Sequence, residues 1–389
     1  MTRKTKAARF AVQALVACAM GLLVGCGDAE KPAAPTAAAE PLPQVDAAVL
    51  SGLERDVEQA LAVWEVPGAA VVVVSGSHVL YSRGFGYRNL QKQQAAGSRT
   101  LFRVPAAMPS FASTLIGTLV DDNQLEWDTR AGELSDSLAQ DFGDLELAEL
   151  MSRPESDAEA AVAASMPPYL RAAEAAAGRL GDTAAGRGDP RSGFHHLMQR
   201  KIFGPAGMTT SALADQLPAM SEDFATPYHR GEDGRLHAMS FPELAATRPA
   251  GVASTATDLA RFLILHIQGG ISQAGKRVAS PANLAETRKP RRDLESSARA
   301  LWPLAGKAGR GMGWVSCQLS ESGEEFEGWN GGAEGFSAQL GFLPQSGIGL
   351  VVLNNKDPSS GGVAFNAEVR DRLLSRLFHT EYPPAAPSR

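Results

Sequence analysis

Two apolar, β-branched runs stand near opposite ends of a 389-residue chain: Ala69-Ala-Val-Val-Val-Val74 and Ile348-Gly-Leu-Val-Val-Leu353. Each has the length and composition of a strand. The first is followed by Ser75-Gly76-Ser77 and then Val79-Leu-Tyr-Ser-Arg-Gly-Phe-Gly86, which reads as an antiparallel hairpin. The second is preceded by two further strand patterns, Gly311–Gln318 and Phe336–Phe342. Strands at both ends, with helical patterns between them, predict one sheet that the two ends of the chain complete together.

The helical patterns are of unequal quality. Leu50, Leu53, Val57, Leu61 and Trp64 recur as on one face of a helix, which Val66-Pro67-Gly68 stops. Phe111, Leu115, Ile116 and Leu119 mark a central buried helix opening near Ala106. Leu145–Met151, Phe194–Phe203 and Thr257–Ile267 are further helices, the last with Asp258 near its start and Gly269-Gly270 after it. Val363, Phe365, Val369, Leu373, Leu374 and Leu377 mark a terminal one. Asp157 to Gly188 is different: rich in Ala and poor in large apolar residues, it offers helix propensity but little to bury. The expected class is α+β, an antiparallel sheet flanked by helices with an inserted, mostly helical subdomain.

The N-terminus reads as an export signal. Arg3, Lys4, Lys6 and Arg9 precede the apolar run Phe10–Val24, and Leu23-Val24-Gly25-Cys26 matches a bacterial lipobox in which Cys26 would carry lipid. The apolar run is short for a membrane span. The expected organisation is a signal at 1–25, an Ala/Pro-rich tether at 26–47, a domain at 48–380 and a tail at 381–389. Within the domain, 48–105 and 250–380 form the α/β part and 106–249 the helical part. The expected location is the bacterial envelope, lipid-anchored and facing the periplasm or exterior. Once the signal and Cys26 are set aside, Cys317 stands alone, so neither an intramolecular disulfide nor a cysteine metal site is available. The formal charge of −6, made more negative by loss of the basic signal, argues against nucleic acid as a partner.

Six phrases, in order, resemble the serine β-lactamase-like group of class C β-lactamases, D-alanyl-D-alanine peptidases and related esterases. They are Val66-Pro-Gly-Ala-Ala-Val-Val-Val-Val, Gly84-Phe-Gly-Tyr-Arg, Ile202-Phe-Gly-Pro-Ala-Gly-Met208, Pro249-Ala-Gly-Val-Ala-Ser-Thr-Ala-Thr-Asp-Leu-Ala-Arg-Phe262, Gly311-Met-Gly-Trp314 and Phe342-Leu-Pro-Gln-Ser-Gly-Ile-Gly-Leu-Val-Val-Leu-Asn354. The resemblance spans about residues 50 to 380 and implies a cleft between two subdomains where three motifs meet.

Each motif departs from what the resemblance implies. The first, Ser-x-x-Lys, would give a nucleophile with a lysine one helical turn away to activate it. Here those positions fall on Ala106 and Pro109. A methyl group cannot attack a carbonyl and proline has nothing to titrate, although proline suits the first turn of a helix. None of the lysines has a serine three residues before it, and no Gly-x-Ser-x-Gly elbow is present. The second motif, Tyr-x-Asn, falls on Glu174 and Ala176 when Pro167-Pro168 and Gly178 are aligned without a gap. The third, Lys- or His-x-Gly, falls on Trp329-Asn330-Gly331, which replaces a cation with an indole. Ala106 and the following Gly332 would still offer backbone N–H groups to an oxyanion. A fourth phrase, His-Thr-Ser-Gly, becomes Arg153-Pro-Glu-Ser156.

Other candidates are thinner. Ser110 is the first alternative nucleophile and Ser113 the second, but neither has a base at helical spacing. The histidines lack ligand spacing and read as surface or packing residues; no metal and no cofactor is implied. Arg288–Arg292 reads as a solvated basic loop. The sequence therefore predicts a catalytically inactive relative whose residual cleft takes a peptidoglycan-derived peptide or an envelope protein. Two alternatives stay open: an active hydrolase with a displaced nucleophile, and a structural envelope scaffold.

Overall fold

The computed structural model describes residues 44–143, 145–153, 166–180, 190–213, 222–240, 251–294, 299, 301–302, 308–319 and 322–380. Cys26 and the lipobox, the tail at 381–389, and parts of the Ala-rich stretch lie outside these residues. Among the described residues no helix is long and apolar enough to cross a membrane.

The two distant apolar runs become neighbours. β1 (Gly68–Ser75) pairs antiparallel with β14 (Ile348–Asn354), with Val72 opposite Val351. They stand inside a sheet ordered β3-β2-β1-β14-β13-β12-β11-β10-β9. Its other strands are β2 (His78–Asn89), β3 (Gln94–Ala95), β9 (Arg292–Asp293), β10 (Ala308–Arg310), β11 (Val315–Gln318), β12 (Glu325–Ala333) and β13 (Phe336–Leu343). Because both faces of β1 are covered, its side chains need not alternate in polarity. Ala69, Val71 and Val73 enter one apolar cluster and Ala70, Val72 and Val74 the other.

On the first face lie α1 (Ala47–Val63) and α10 (Gly362–Phe378). Asp46 caps α1 by accepting from the Val49 amide at 2.8 Å, and Leu53, Val57 and Ala60 pack with Phe365, Val369 and Leu373. On the second face lie α2 (Met108–Asp121), the short helices α3 (Ala131–Leu134), α4 (Asp136–Phe142) and α5 (Leu147–Met151), then α6 (Pro168–Arg179), α7 (Pro190–Leu197), α8 (Ala256–Ile267) and α9 (Pro281–Arg288). Thr255 caps α8 by accepting from the Asp258 amide at 3.1 Å. The architecture is α+β, an antiparallel sheet built from both chain ends and flanked by helices.

Some local expectations change. The pattern at Phe194–Phe203 splits into the end of α7 and a π-helical turn at Met198–Phe203. Of Gly311–Gln318 only Val315–Gln318 is strand, because Gly313 takes a φ of 82° and folds Gly311–Trp314 into a turn. The stretch expected to be helical contains the two-residue β5 (Ala212–Leu213), and the hairpin β6 (Tyr228–Arg230) and β7 (Leu236–Ala238). β5 forms a small sheet with β8 (Val252–Ser254) and β4 (Phe102–Val104), in the order β4-β8-β5.

Candidate functional site

One wall begins where β4 hands over to α2. Pro105–Ala107 form a single 3₁₀ turn that runs straight into α2, with Ala107 already helical at φ −80°, ψ −22° and no side-chain cap. Pro109 sits in the first turn, where its missing N–H has no intrahelical partner to lose. Phe111 anchors the helix between Phe262, with ring centroids 4.0 Å apart, and Phe203 at 5.6 Å. Ala106 is half-buried and packs on this core.

The hydroxyls of α2 are spent on its own backbone. Ser110 is 0% exposed and its Oγ donates to the Ala107 carbonyl at 2.8 Å. Ser113 and Thr114 both donate to the Ser110 carbonyl, at 3.1 and 2.7 Å. Such back-bonding lets a buried helix carry polar residues without orphaned groups. Both serine hydroxyls are thereby held in the buried interior.

The facing wall is β12. β11 pairs with it only as far as Val315 opposite Gly328, while β13 continues to Ala333 opposite Phe336. Trp329–Ala333 are therefore strand-paired on one side, and the 3₁₀ turn of Ala106 approaches this segment. A Cβ added at Gly331 would stand 3.1 Å from the Ala106 Cβ, so any larger residue there must push the turn back. Strand alternation puts Trp329 on the Gly331 face and Asn330 on the other. There the Asn330 amide donates to the Val363 carbonyl at 3.0 Å and accepts from Asn366 at 3.1 Å. Trp329 is 5% exposed and belongs to the apolar cluster that holds Met108, Met312 and Phe336. Its Nε1 has no hydrogen-bond partner among the described residues. Gly332 follows on the same segment, opposite Ser337.

A buried ion pair ties the walls together, and sequence reasoning missed it. Arg103 of β4, 4% exposed, pairs with Glu334 in the turn between β12 and β13. That turn carries positive φ at both Glu334 (56°) and Gly335 (80°), and the Gly335 amide donates to Asp357 at 3.0 Å. Arg103 is three residues before Ala106 and Glu334 three after Gly331, so the pair brackets the close approach. In sequence nothing but its nearness to Ala106 marks Arg103, and its partner lies 231 residues away.

The positions of the second motif sit on α6. Glu174 is half-buried and engaged with neighbours, and Ala176 is 0% exposed. Ala172, Ala173, Ala176 and Ala177 are all buried, and a Cβ on Gly193 of α7 would lie 3.4 Å from the Ala177 carbonyl. The expectation that this stretch has little to bury is corrected for 168–179: methyl groups and a glycine let two helices approach closely enough to form core. Arg153 stands over the Phe142 ring at 5.9 Å, and Pro154–Ser156 lie outside the described residues.

The basic stretch is only partly solvated: Lys289 and Pro290 are exposed, but the arginines are engaged. Arg288 pairs with Glu327, Arg291 with Glu286, and Arg292 reaches Glu149 at 3.5 Å. Cys317 is buried in the core and its thiol is pushed up to about 12, mainly by burial, which leaves it inert. Among the described residues no three His, Cys, Asp or Glu side chains are grouped to hold a metal ion.

The turn of Ala106 and Pro109 meets the β12 segment of Trp329 and Gly331, and where the resemblance implied a nucleophile, a base and a cation these positions carry a methyl group, a pyrrolidine ring and an indole. The chain matches the family model described as Beta-lactamase over residues 53–153 and 174–374. It is 26% identical over 365 residues to penicillin-binding protein 4 of Amycolatopsis lactamdurans, covering 82% of this chain and 87% of that one. It is 31% identical over 97 residues to the unguisins hydrolase ungD of Aspergillus violaceofuscus, 24% of this chain and only 17% of that relative. The octameric penicillin-binding protein homologue from Pyrococcus abyssi has a similar fold, with a TM-score of 0.67 at 20% identity over 85% of this chain and 78% of that one. So does a class C beta lactamase from Rhodobacter sphaeroides, at 0.59, 18% identity, and 84% and 99% coverage.

Proposed function

Because the chain belongs to the β-lactamase family, we propose that it is an exported, lipid-anchored member that has lost acyl-serine chemistry and keeps its cleft for binding a cell-envelope ligand. The observation that carries this reading is the contact between the walls. Gly331 still closes on position 106, but that position presents only a methyl group. Pro109 supplies no base, and the displaced-nucleophile alternative meets a Ser110 hydroxyl that is sealed in the core and given to a carbonyl. What remains can hold a ligand through backbone N–H groups and a strand edge. A peptidoglycan-derived peptide or an extended segment of an envelope protein suits such an edge.

The test is intact-mass measurement of the mature protein after exposure to a penicillin and to an activated ester. The expected result is an unchanged mass; an acyl adduct mapped to a serine would overturn the proposal. The burial of Trp329 favours a second reading, in which the indole fills the cleft and the protein is an envelope scaffold. Titration with soluble muropeptides separates the two. Saturable binding weakened by Gly331→Val supports the ligand cleft, and no binding supports the scaffold.

A further inference from the structure

His266 of α8 is buried at 2% exposure, with the Trp314 ring 4.5 Å and the Phe262 ring 4.7 Å away. Its two nitrogens face different partners. Nδ1 lies 3.3 Å from Nη1 of Arg288, and Nε2 lies 3.3 Å from Oγ1 of Thr114. A guanidinium can only donate, so Nδ1 must accept. The ring is thereby fixed as the neutral tautomer with its proton on Nε2, aimed at Thr114.

Each partner leads to one wall of the cleft. Thr114 donates to the Ser110 carbonyl at 2.7 Å, and Ser110 donates to the Ala107 carbonyl at 2.8 Å, next to Ala106. Arg288, at the end of α9, pairs with Glu327 of β12 and lies over the Phe342 ring at 5.5 Å. Glu327 is two residues before Trp329 and therefore on the same face of the strand. One continuous chain of contacts runs Glu327, Arg288, His266, Thr114, Ser110, Ala107.

We propose that His266 is a proton-operated latch between the walls: the neutral ring joins β12 to the first turn of α2, and protonation releases Arg288 and separates them. A proton on Nδ1 would aim an N–H at a guanidinium 3.3 Å away. Two donors and two like charges cannot share a buried contact. The charged groups involved are Arg288 from α9 and, through it, Glu327 from β12. Around the ring itself, α2 presents Thr114, α8 Phe262 and the turn before β11 Trp314. Burial first, then Arg288, holds the imidazole well below the ordinary histidine range, so the closed ring stays neutral while each opening that exposes it to solvent is favoured as pH falls below the ordinary histidine value. Burial also raises the Glu327 carboxyl, against the opposing pull of Arg288, so acid weakens the second link in the same direction. The latch rests on these contacts alone and stands whether or not the cleft is catalytic.

Hydrogen–deuterium exchange of the full chain, compared at about pH 7.5 and about pH 5 after scaling for intrinsic exchange, tests the latch. The expected result at the lower pH is a joint loss of protection, roughly tenfold, in Pro105–Ser110 and Trp329–Ala333, with β1 and β14 unchanged. His266→Gln, which cannot take up the proton, should lose the response of Pro105–Ser110 and keep at most that of β12 through Glu327. Should that variant fail to fold, Thr114→Val keeps the ring and cuts the α2 link: β12 should still respond while the α2 turn does not. Equal protection at both pH values, parallel loosening of the whole sheet, a response of Pro105–Ser110 surviving in His266→Gln, or a joint response in Thr114→Val would each overturn the proposal.

Discussion

Trp64 and Trp329 are buried to nearly the same extent, 6% and 5% exposed, on opposite faces of the same sheet. Trp64 closes α1 and its Nε1 donates to Glu368 at 2.5 Å. Glu368 in turn holds Arg372 at 2.6 Å, Arg372 reaches Asp56 at 3.3 Å, and Arg376 donates to Asp56 at 2.5 Å. Lys356 completes the group by donating to the Trp64 carbonyl. Trp329 has an apolar setting and no partner for its N–H. The contrast is between two indole settings. Around Trp64 the polar groups meet one another, whereas an unmet buried donor costs about 1–3 kcal/mol. Where β12 meets the turn of Ala106, the Trp329 N–H finds no partner among the described residues, and the fully buried Trp314 N–H finds none either.

The comparison is broken most strongly by Glu368→Ala. It would leave Trp64 and Arg372 facing an empty position in the core, and breaking a buried pair costs about 3–5 kcal/mol. Because Arg372 is partly exposed, the lower end of that range is expected in urea unfolding. Acid comes next. His266 is held below the ordinary value of 6.5, so below that value the unfolded state binds more protons than the folded one. Stability is then full above the unfolded value and falls with pH by about 1.4 kcal/mol per unit until the folded value is passed. This fall, which begins as pH drops through about 6.5, should be missing from the denaturation series of His266→Gln. The smallest effects sharpen the comparison best. Both Trp64→Phe and Trp329→Phe open a cavity, but Trp64→Phe also strips a buried carboxylate of a donor and should cost about 1–2 kcal/mol more than Trp329→Phe. Equal losses for the two substitutions would show that the Trp329 N–H is satisfied after all and would remove the distinction.

Legibility in the sequence followed the range of the forces involved. α1, β1, β2, β14 and α10 carry their apolar periodicity within a dozen or so residues, so each could be recognised alone. β12 could not be: Glu325-Phe-Glu-Gly-Trp-Asn-Gly-Gly-Ala333 has two acids, three glycines and no steady alternation. It is a strand because β11 and β13 bind its backbone. The three-residue strands β4 and β8 exist for the same reason, and α6 is core because Tyr169, Leu170 and its methyl groups all meet other helices. In the site, the resemblance located Ala106, Pro109, Trp329 and Gly331. It offered no hint that Arg103 pairs with Glu334, or that Arg288, expected in solvent, is folded in against Glu327 and His266.

From residue identities alone, this chain's secondary-structure skeleton and the chemistry missing from positions 106 and 109 were already determined, since both depend on what a side chain is. Tertiary structure decided where the remaining polar groups were spent. It buried the Ser110 hydroxyl against a carbonyl, left the Trp329 N–H unmet, brought Gly331 up to Ala106, and fixed the proton of His266 on Nε2. Those outcomes depend on which distant groups arrive within hydrogen-bonding reach, and only the packed sheet and helices set that distance.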